Sequence, residues 1–374
     1  MQQQSSKIKI GILYGGRSGE HDVSLCSAAS VVSALDPGKY AITAIGIDRD
    51  GKWYVQEQPE IIPDKDFGKV LAIKKRGTWL VNHFEHNNKL HIYNMEVNGE
   101  EVIVDIVFPV LHGTFGEDGT LQGLLELAMV PYVGADVLGS AVGMDKDVAK
   151  RLLMQADIPV TPSVTINKGQ WKENFGDIMQ SAIAELGLPL FVKPVCTGSS
   201  VGVKKVKGKN EFAAAVDFAF QFDTRVMIEK GIDCREIECA VLGNDNPAAS
   251  ITGEIIPRHE FYSYEAKYID PNGAALEIPA PIDAPLAELI RKTAVAGYSA
   301  LGCSGMARVD FFLDKKTSKF YLNEINTLPG FTSISMYPKL WEATGLKYSD
   351  LIDKLIALAI DRHQQKLAIK TTGI

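Results

Sequence analysis

The sequence predicts a chain of mixed α/β and α+β type, with an N-terminal βαβ domain on a parallel sheet and a larger α+β region in two parts. Three observations predict it. Strand, glycine turn, helix and strand signals alternate over the first 48 residues, and strands joined through a helix pair in parallel. Near Gly143 the style changes to a polar helix, two prolines (Pro159 and Pro162) and hairpin-like strands. The length of 374 residues suits two or three domains of ~150 residues each.

The elements follow in order. IKIGILYGG (Ile8 to Gly16) is a short apolar run ending in a glycine turn, and VSLCSAASVVSAL (Val23 to Leu35) is an amphipathic helix closed by Asp36-Pro37-Gly38. YAITAIGID (Tyr40 to Asp48) is the next strand. Residues 51 to 100 are mixed and polar, read as an insertion or edge hairpin without evident chemistry. VIVDIVFPVL (Val102 to Leu111) is a central strand ending at HGTFGEDG, and LQGLLELAM (Leu121 to Met129) is a helix. MDKDVAKRLLMQADI opens the second unit as a helix. LFVKP (Leu190 to Pro194) and VGVKKV (Val201 to Val206) are strands around the loop VCTGSS; NEFAAAVDFAF is a helix and RVMIEK (Arg225 to Lys230) a strand. Beyond it come the strands REIECAVLG, ITGEIIP, MARVDFFLD and FYLNEIN, with helices near 285 to 301 and 347 to 364. The expected domains are 1–145, 146–230 and 231–374.

Composition narrows the partners. Lys plus Arg total 39 against 46 Asp plus Glu, a formal charge of −7, which disfavours general binding to nucleic acid or an anionic membrane. Five scattered cysteines without ligand spacing read as thiols of a reducing compartment. No apolar stretch reaches membrane-spanning length, and a cytoplasmic location is expected.

The strongest chemistry lies in two late strands. The period of two puts Arg308 and Asp310 on one face of MARVDFFLD, with Val309 and Phe311 on the other; Glu324 and Asn326 share a face of FYLNEIN. Charged groups on strands this apolar must be paired or hold a metal. Asp310, Glu324 and Asn326 suit Mg²⁺, which takes few protein carboxylates; a buried Arg–Asp pair with a strand-end turn explains the same residues. KPVCTGSSVGV offers a strand-end lysine, Lys193, and a Gly/Ser hairpin fit to cover phosphates, or an ordinary hairpin. MIEKGI reads as a nucleobase hinge or an exposed strand end. GGRSGEHDVSL puts Glu20, His21 and Asp22 at a strand-to-helix turn, suited to an ammonium group or to a helix cap. HGTFGEDG brings His112 and Glu117 to the same crevice. FYSYEAKY begins a long loop of the kind that serves as a lid, and NTLPGFTSISMYP is fit to bind a carboxylate through backbone N–H groups.

Taken in order, GGRSGEHDVSL, HGTFGEDG, MDKDVAK, FVKPVCTGSSVG, IEKGIDCREIE, FYSYEAKY, ARVDFF and NEINTLPGFTSISMYP resemble the D-alanine–D-alanine ligases of the ATP-grasp superfamily over residues 8 to 360. The resemblance implies an N-terminal α/β domain followed by a two-domain ATP-grasp fold, and ATP-dependent joining of two D-alanines for peptidoglycan synthesis in the cytoplasm. It implies Lys146 and Lys193 at the ATP phosphates, Glu229, Lys230, Ile232 and Glu236 at adenine and ribose, Asn323 with the nucleotide set, and Lys267 at the γ-phosphate. Asp310, Glu324 and Asn326 match ligands for two Mg²⁺ ions, with Mn²⁺ able to substitute. Glu20 matches the holder of the first D-alanine's ammonium, with His112 by its carboxylate. Arg308 and the Gly330 N–H match oxyanion donors, and Ser335 and Met336 the second substrate's carboxylate site. Ser199 and Tyr268 match a bonded pair joining hairpin and lid to Glu20. Gly231 and Met336 depart from commoner residues without removing a charge. A homodimer is expected.

The implied mechanism passes through a D-alanyl phosphate, with solvent excluded until the second amine attacks. The alternatives are a ligase joining D-alanine to D-lactate or D-serine, and a non-catalytic ATP-binding sensor. A dinucleotide oxidoreductase is disfavoured because GxGxxG is absent. Tyr268 favours D-alanine as second substrate, on resemblance alone.

Overall fold

The computed structural model describes residues 7–82, 87–257, 274–332 and 334–370. The first unit contains β1 (Ile8–Gly15), α1 (His21–Ala34), β2 (Tyr40–Ile47), β3 (Trp53–Gln56), β4 (Ile61–Asp64), β5 (Gly68–Leu71), β6 (Trp79–Asn82), β7 (Leu90–Asn94), β8 (Glu101–Val104), β9 (Ile106–Val110) and α2 (Thr120–Leu127). Its main sheet has the order β3-β2-β1-β9, with β1 parallel to both neighbours and β3 antiparallel at the edge. The chain leaves β1 for β2 on one side and reaches β9 on the other. A crevice therefore opens at the carboxyl ends of β1 and β9, the place where such sheets bind ligands.

Two departures from the sequence reading are local. The single strand expected over 102–111 is two strands, because Asp105 turns the chain: its carboxylate accepts the Lys9 N–H at 2.8 Å and its own N–H donates to the Lys9 carbonyl. That lets β8 join a small antiparallel sheet, β6-β7-β8, while β9 joins the main one. Residues 51–100 thus hold an edge strand, the hairpin β4-β5 and most of this small sheet, more structure than one edge hairpin.

The connecting helices α3 (Val137–Met144) and α4 (Lys146–Gln155) lead to the second unit of β10 (Ser163–Asn167), α5 (Lys168–Leu186), β11 (Leu190–Pro194), β12 (Lys204–Val206), α6 (Lys209–Ala219) and β13 (Arg225–Lys230). Its sheet is antiparallel, β10-β13-β11-β12, over a core that includes Trp171, Phe212 and Val216. Gly169, Gly176 and the non-helical Asn174 blur the apolar period of α5, and its clearest local signal is the reciprocal cap between Asn167 and Gln170. Strand β12 is shorter than the expected 201–206, because Ser199, Ser200 and Gly202 take left-handed φ values of 47°, 59° and 77°.

The third unit is a five-stranded antiparallel sheet, β16-β15-β14-β17-β18, formed by β14 (Cys234–Gly243), β15 (Ala248–Pro257), β16 (Ala274–Glu277), β17 (Gly305–Asp314) and β18 (Phe320–Asn326). Helix α7 (Ala284–Ala300) covers one face; α8 (Met336–Ala343) and α9 (Tyr348–Leu367) cover the other. One hydrophobic core runs from Ile10, Ile12 and Phe108 of the first sheet through Phe331 to Leu242, Leu340 and Leu355 of the third unit. The first and third sheets are thus fastened together, with Lys39 and Tyr40 both bound to Asp353 at the edge. Among the described residues no helix is long and apolar enough to cross a membrane, and all five cysteines are free.

Candidate active site

The turn after β1 sets the first group. Gly15 and Gly16 have φ of 91° and 93°, a conformation open to glycine, and they swing the chain across the crevice. Ser18 Oγ donates to the His112 carbonyl at 2.7 Å and accepts the Glu20 N–H at 3.1 Å. Glu20, 8% exposed, accepts a hydrogen bond from the Ser199 hydroxyl in the β11–β12 loop. A Cβ on Gly113 would come within 2.7 Å of Glu20 Oε2, and one on Gly198 within 3.1 Å. Two glycine-bearing loops from different units therefore close on one carboxylate.

His112 is buried. Its Nδ1 lies 3.0 Å from the Leu328 carbonyl and its Nε2 3.1 Å from Ser27 Oγ. Burial holds its pKa below the ordinary histidine value, so at neutral pH Nδ1–H donates and Nε2 accepts. It fixes the loop after β18, where Ser27 Oγ also accepts the Phe331 N–H and the Tyr348 hydroxyl donates to the Phe331 carbonyl at 2.8 Å. A Cβ on Gly330 would meet Ser335 Oγ at 2.9 Å, so glycine lets the backbone pass. Ser335 precedes α8, and Met336 buries its side chain in the shared core. What Met336 offers a carboxylate is its N–H at a helix start.

Three neighbouring strands of the third sheet supply the charges. Glu238 on β14, Asp310 on β17 and Glu324 on β18 are direct partners across the sheet. Arg308 forks onto Asp310 with two bonds of 2.7 Å, and its Nε lies 2.9 Å from Glu238. Asn326 Nδ2 donates to Asp310 at 2.9 Å. The pairing shifts between Asp310 and Phe311, so that Asn323 is the extra residue of a bulge. The bulge resets the alternation. Leu322 and Ile325 both face the core while Asn323, Glu324 and Asn326 do not. Among the described residues no three His, Cys, Asp or Glu side chains form a ready-made metal cage. Two carboxylates and one amide nevertheless fit a cation that keeps most of its shell for water and phosphate.

The second unit holds the lysines. Glu229, 1% exposed, is bound by both Lys150 and Lys193, and Lys150 also donates to the Thr161 carbonyl at 2.7 Å. Burial would raise the Glu229 pKa, and the two ammonium groups more than reverse it, leaving the carboxyl below its ordinary value. Burial lowers Lys150 and Lys146. Lys146 reaches the Thr197 carbonyl at the root of the Ser199 loop. Lys230 is exposed, and Ile232 and Glu236 are half-buried on the way into β14. A Cβ on Gly231 would lie 2.7 Å from the Pro189 carbonyl. The close approach explains glycine there.

Residues 9–135 match the family description D-ala D-ala ligase N-terminus and 152–357 match D-ala D-ala ligase C-terminus. The chain belongs to the D-alanine–D-alanine ligase family. It is an enzyme, a ligase, with the ATP-grasp fold. It is similar to D-alanine--D-alanine ligase A of Escherichia coli, at 48% identity over 98% of this chain and 99% of that one. The D-alanine--D-alanine ligase of Shouchella clausii is 47% identical, covering 98% of each chain. A solved D-alanine-D-alanine ligase from Coxiella burnetii has a TM-score of 0.80 at 40% identity, covering 96% of this chain and 97% of that one. A D-Ala:D-Ser ligase from Enterococcus faecalis has a TM-score of 0.79 at 38% identity, covering 95% and 100%.

The expected residues Glu20 and Ser199 meet, and so do Arg308, Asp310 and Asn326. Lys267 and Tyr268 lie outside the described residues. Glu238 and Lys150 are additional members that the sequence reading passed over. The alternation in REIECAVLG offered the first by the argument applied to Arg308, and Lys150, one turn after Lys146 on α4, faces inward with Ala149 and Leu153.

Proposed function

We propose that the chain condenses two D-alanines to D-alanyl-D-alanine through a D-alanyl phosphate, at the cost of ATP, supplying peptidoglycan synthesis in the cytoplasm as a homodimer. One observation carries the reading: Glu20, in the turn between β1 and α1, accepts a hydrogen bond from the Ser199 hydroxyl in the Gly/Ser loop of another unit. An amine-binding carboxylate and a nucleotide loop in contact describe an enzyme that activates an amino acid with a nucleotide.

In this reading Glu20 holds the first D-alanine's ammonium, and His112, neutral and bound at both nitrogens, keeps the Leu328 loop in place beside it. Tyr268 completes the Glu20–Ser199 link, and Lys267 meets the γ-phosphate. Lys146 and Lys193 meet the other phosphates; Glu229, Lys230, Ile232 and Glu236 receive the nucleoside, and Asn323 belongs to the same cofactor-binding set. Asp310, Glu324 and Asn326 would hold two Mg²⁺ ions, or Mn²⁺, which when bound offset the charge of the phosphate oxygens. A carboxylate oxygen of the first D-alanine attacks the γ-phosphorus and ADP departs. The second D-alanine, its carboxylate at Ser335 and the Met336 N–H, gives up an ammonium proton to bulk water as it enters. Its amine attacks the acyl carbonyl, Arg308 and the Gly330 N–H stabilise the oxyanion, and phosphate leaves.

ADP release measured with D-alanine alone, and with D-alanine plus D-serine or D-lactate, tests the assignment. Dipeptide from D-alanine alone is the expected result. The resemblance to a D-Ala:D-Ser ligase makes D-serine the informative competitor, and a preference for it would move the second-substrate assignment. Glu20→Gln is expected to raise KM for the first D-alanine well above its effect on the second, because an amide cannot neutralise an ammonium. Separate KM determinations check this, and selective loss at the second site would reverse the two subsites.

A further inference from the structure

We propose that Arg225 is a positioning residue for the ATP phosphates, acting through Asp145 on Lys146. The proposal rests on the ATP-dependent ligase reading, in which Lys146 meets a phosphate. No step of the mechanism above uses Arg225, which opens β13 at the end opposite Glu229 and Lys230. From there its guanidinium leaves the second unit's sheet and binds the carboxylate of Asp145, the residue in front of Lys146.

Asp145 divides its two oxygens between two units. Oδ1 caps α4, accepting the Asp147 and Val148 N–H groups at 3.1 and 3.0 Å, while Oδ2 takes the Arg225 guanidinium. Asp147 Oδ2 lies 3.8 Å from the same guanidinium. Further along α4, Ala149 and Leu153 are buried in the core of the third unit with Ile290 and Tyr298. The helix is thus seated in the third unit by its apolar face and tied to the second at its first turn. The backbone around Arg225 also grips the root of the Gly/Ser loop. Its carbonyl accepts the Val195 N–H at 3.2 Å, and Asp223 accepts the Cys196 N–H at 2.7 Å and the Arg225 N–H at 3.1 Å. Lys146 meets that root from the helix side, its N–H donating to the Val195 carbonyl at 3.3 Å and its ammonium to the Thr197 carbonyl. Arg225 therefore stands where helix start, loop root and β13 are joined. Asp145 is a fixed anion one residue from a phosphate-binding ammonium; paired with a guanidinium, it neither draws that ammonium back nor repels a phosphate. A long flexible lysine also loses rotamer freedom when it binds, so a backbone held in place lowers the cost of aiming it.

Arg225→Met keeps the length of the side chain and removes its charge and its donors. In the full chain KM for ATP is expected to rise about 10-fold, the size of one lost charge-assisted hydrogen bond, with kcat at saturating ATP and KM for D-alanine little changed. Inhibition constants measured against ATP separate positioning from a loosened fold. ADP should weaken by the same factor, whereas adenosine, which has no phosphate, should inhibit as it does the parent. In a Lys146→Met background, Arg225→Met should add little to the loss of ADP affinity, because both changes act on one contact. Equal weakening of ADP and adenosine marks a merely structural arginine and overturns the proposal. Full additivity with Lys146→Met overturns it too, since Arg225 would then act without Lys146. Should Arg225→Met not fold, Arg225→Lys, which keeps the charge and loses the planar fork, carries the same comparison with a smaller loss for ADP and none for adenosine. A parent enzyme that ADP does not inhibit overturns instead the ATP-dependent reading beneath the proposal.

Discussion

Arg308→Ala is expected to lower turnover by roughly 10²- to 10³-fold, the range seen when one preorganised oxyanion donor is removed. The geometry predicts a second, separable effect. Arg308 stands between Asp310 and Glu238, which are direct partners on β17 and β14. Alanine removes the guanidinium that stands between these two largely buried carboxylates, a loss of the kind that costs about 3–5 kcal/mol when one partner of a buried pair is deleted. A divalent cation between the strands would relieve the repulsion but not replace the donor. Thermal unfolding with and without Mg²⁺ should therefore show partial recovery of stability, while turnover stays low. Arg308→Lys keeps the charge and loses the planar fork, so it should retain more stability than alanine. Unchanged turnover in Arg308→Ala would remove this residue from the chemistry.

What was legible in the sequence was whatever period and punctuation encode. The βαβ start, the hairpin strands of the second unit and the alternation through Arg308 and Asp310 all follow from one-residue or two-residue rules. Other features depend on partners distant in the chain. Asp105 breaks a strand only because Lys9 lies beside it. Strict alternation would put Leu322 on the same face as Glu324, and only pairing against β17 creates the bulge at Asn323 that turns Leu322 inward. The Glu20–Ser199 contact spans 179 positions, so no local pattern forecasts it. The resemblance, rather than any local pattern, supplied both residues and the expectation of a link between them. Lys150 was hidden for the opposite reason. A lysine on a polar helix looks solvated until the helix packs.

The second large effect concerns Lys150 and its partner Glu229. Glu229→Gln leaves Lys150 and Lys193, whose side chains are 5% and 12% exposed, without their shared carboxylate. The expected loss is about 3–5 kcal/mol, read as a lowered unfolding midpoint. The direction with pH follows from linkage. The folded-state pKa of Glu229 is depressed, because Lys193 and Lys150 outweigh the burial that would raise it. Its contribution is therefore present above the ordinary carboxylate range and is lost as pH falls through the folded value. The gap between parent and variant should be full at pH 7 and close in acid. Adding Lys150→Met to Glu229→Gln should recover part of the loss, since one stranded ammonium is replaced by an apolar chain of similar length, and the two changes should not add. A Glu229→Gln protein as stable as its parent at pH 7 would show that the carboxylate does not hold the two lysines. In the proposed reading the same cluster bears on ATP: Lys193 is paired with Glu229 in the free protein, so an ATP phosphate would have to draw it away. An apparent ATP affinity that weakens on Glu229→Gln would then report loss of the nucleoside contact, whereas one that strengthens would report release of Lys193, and calorimetry with ATP distinguishes the two.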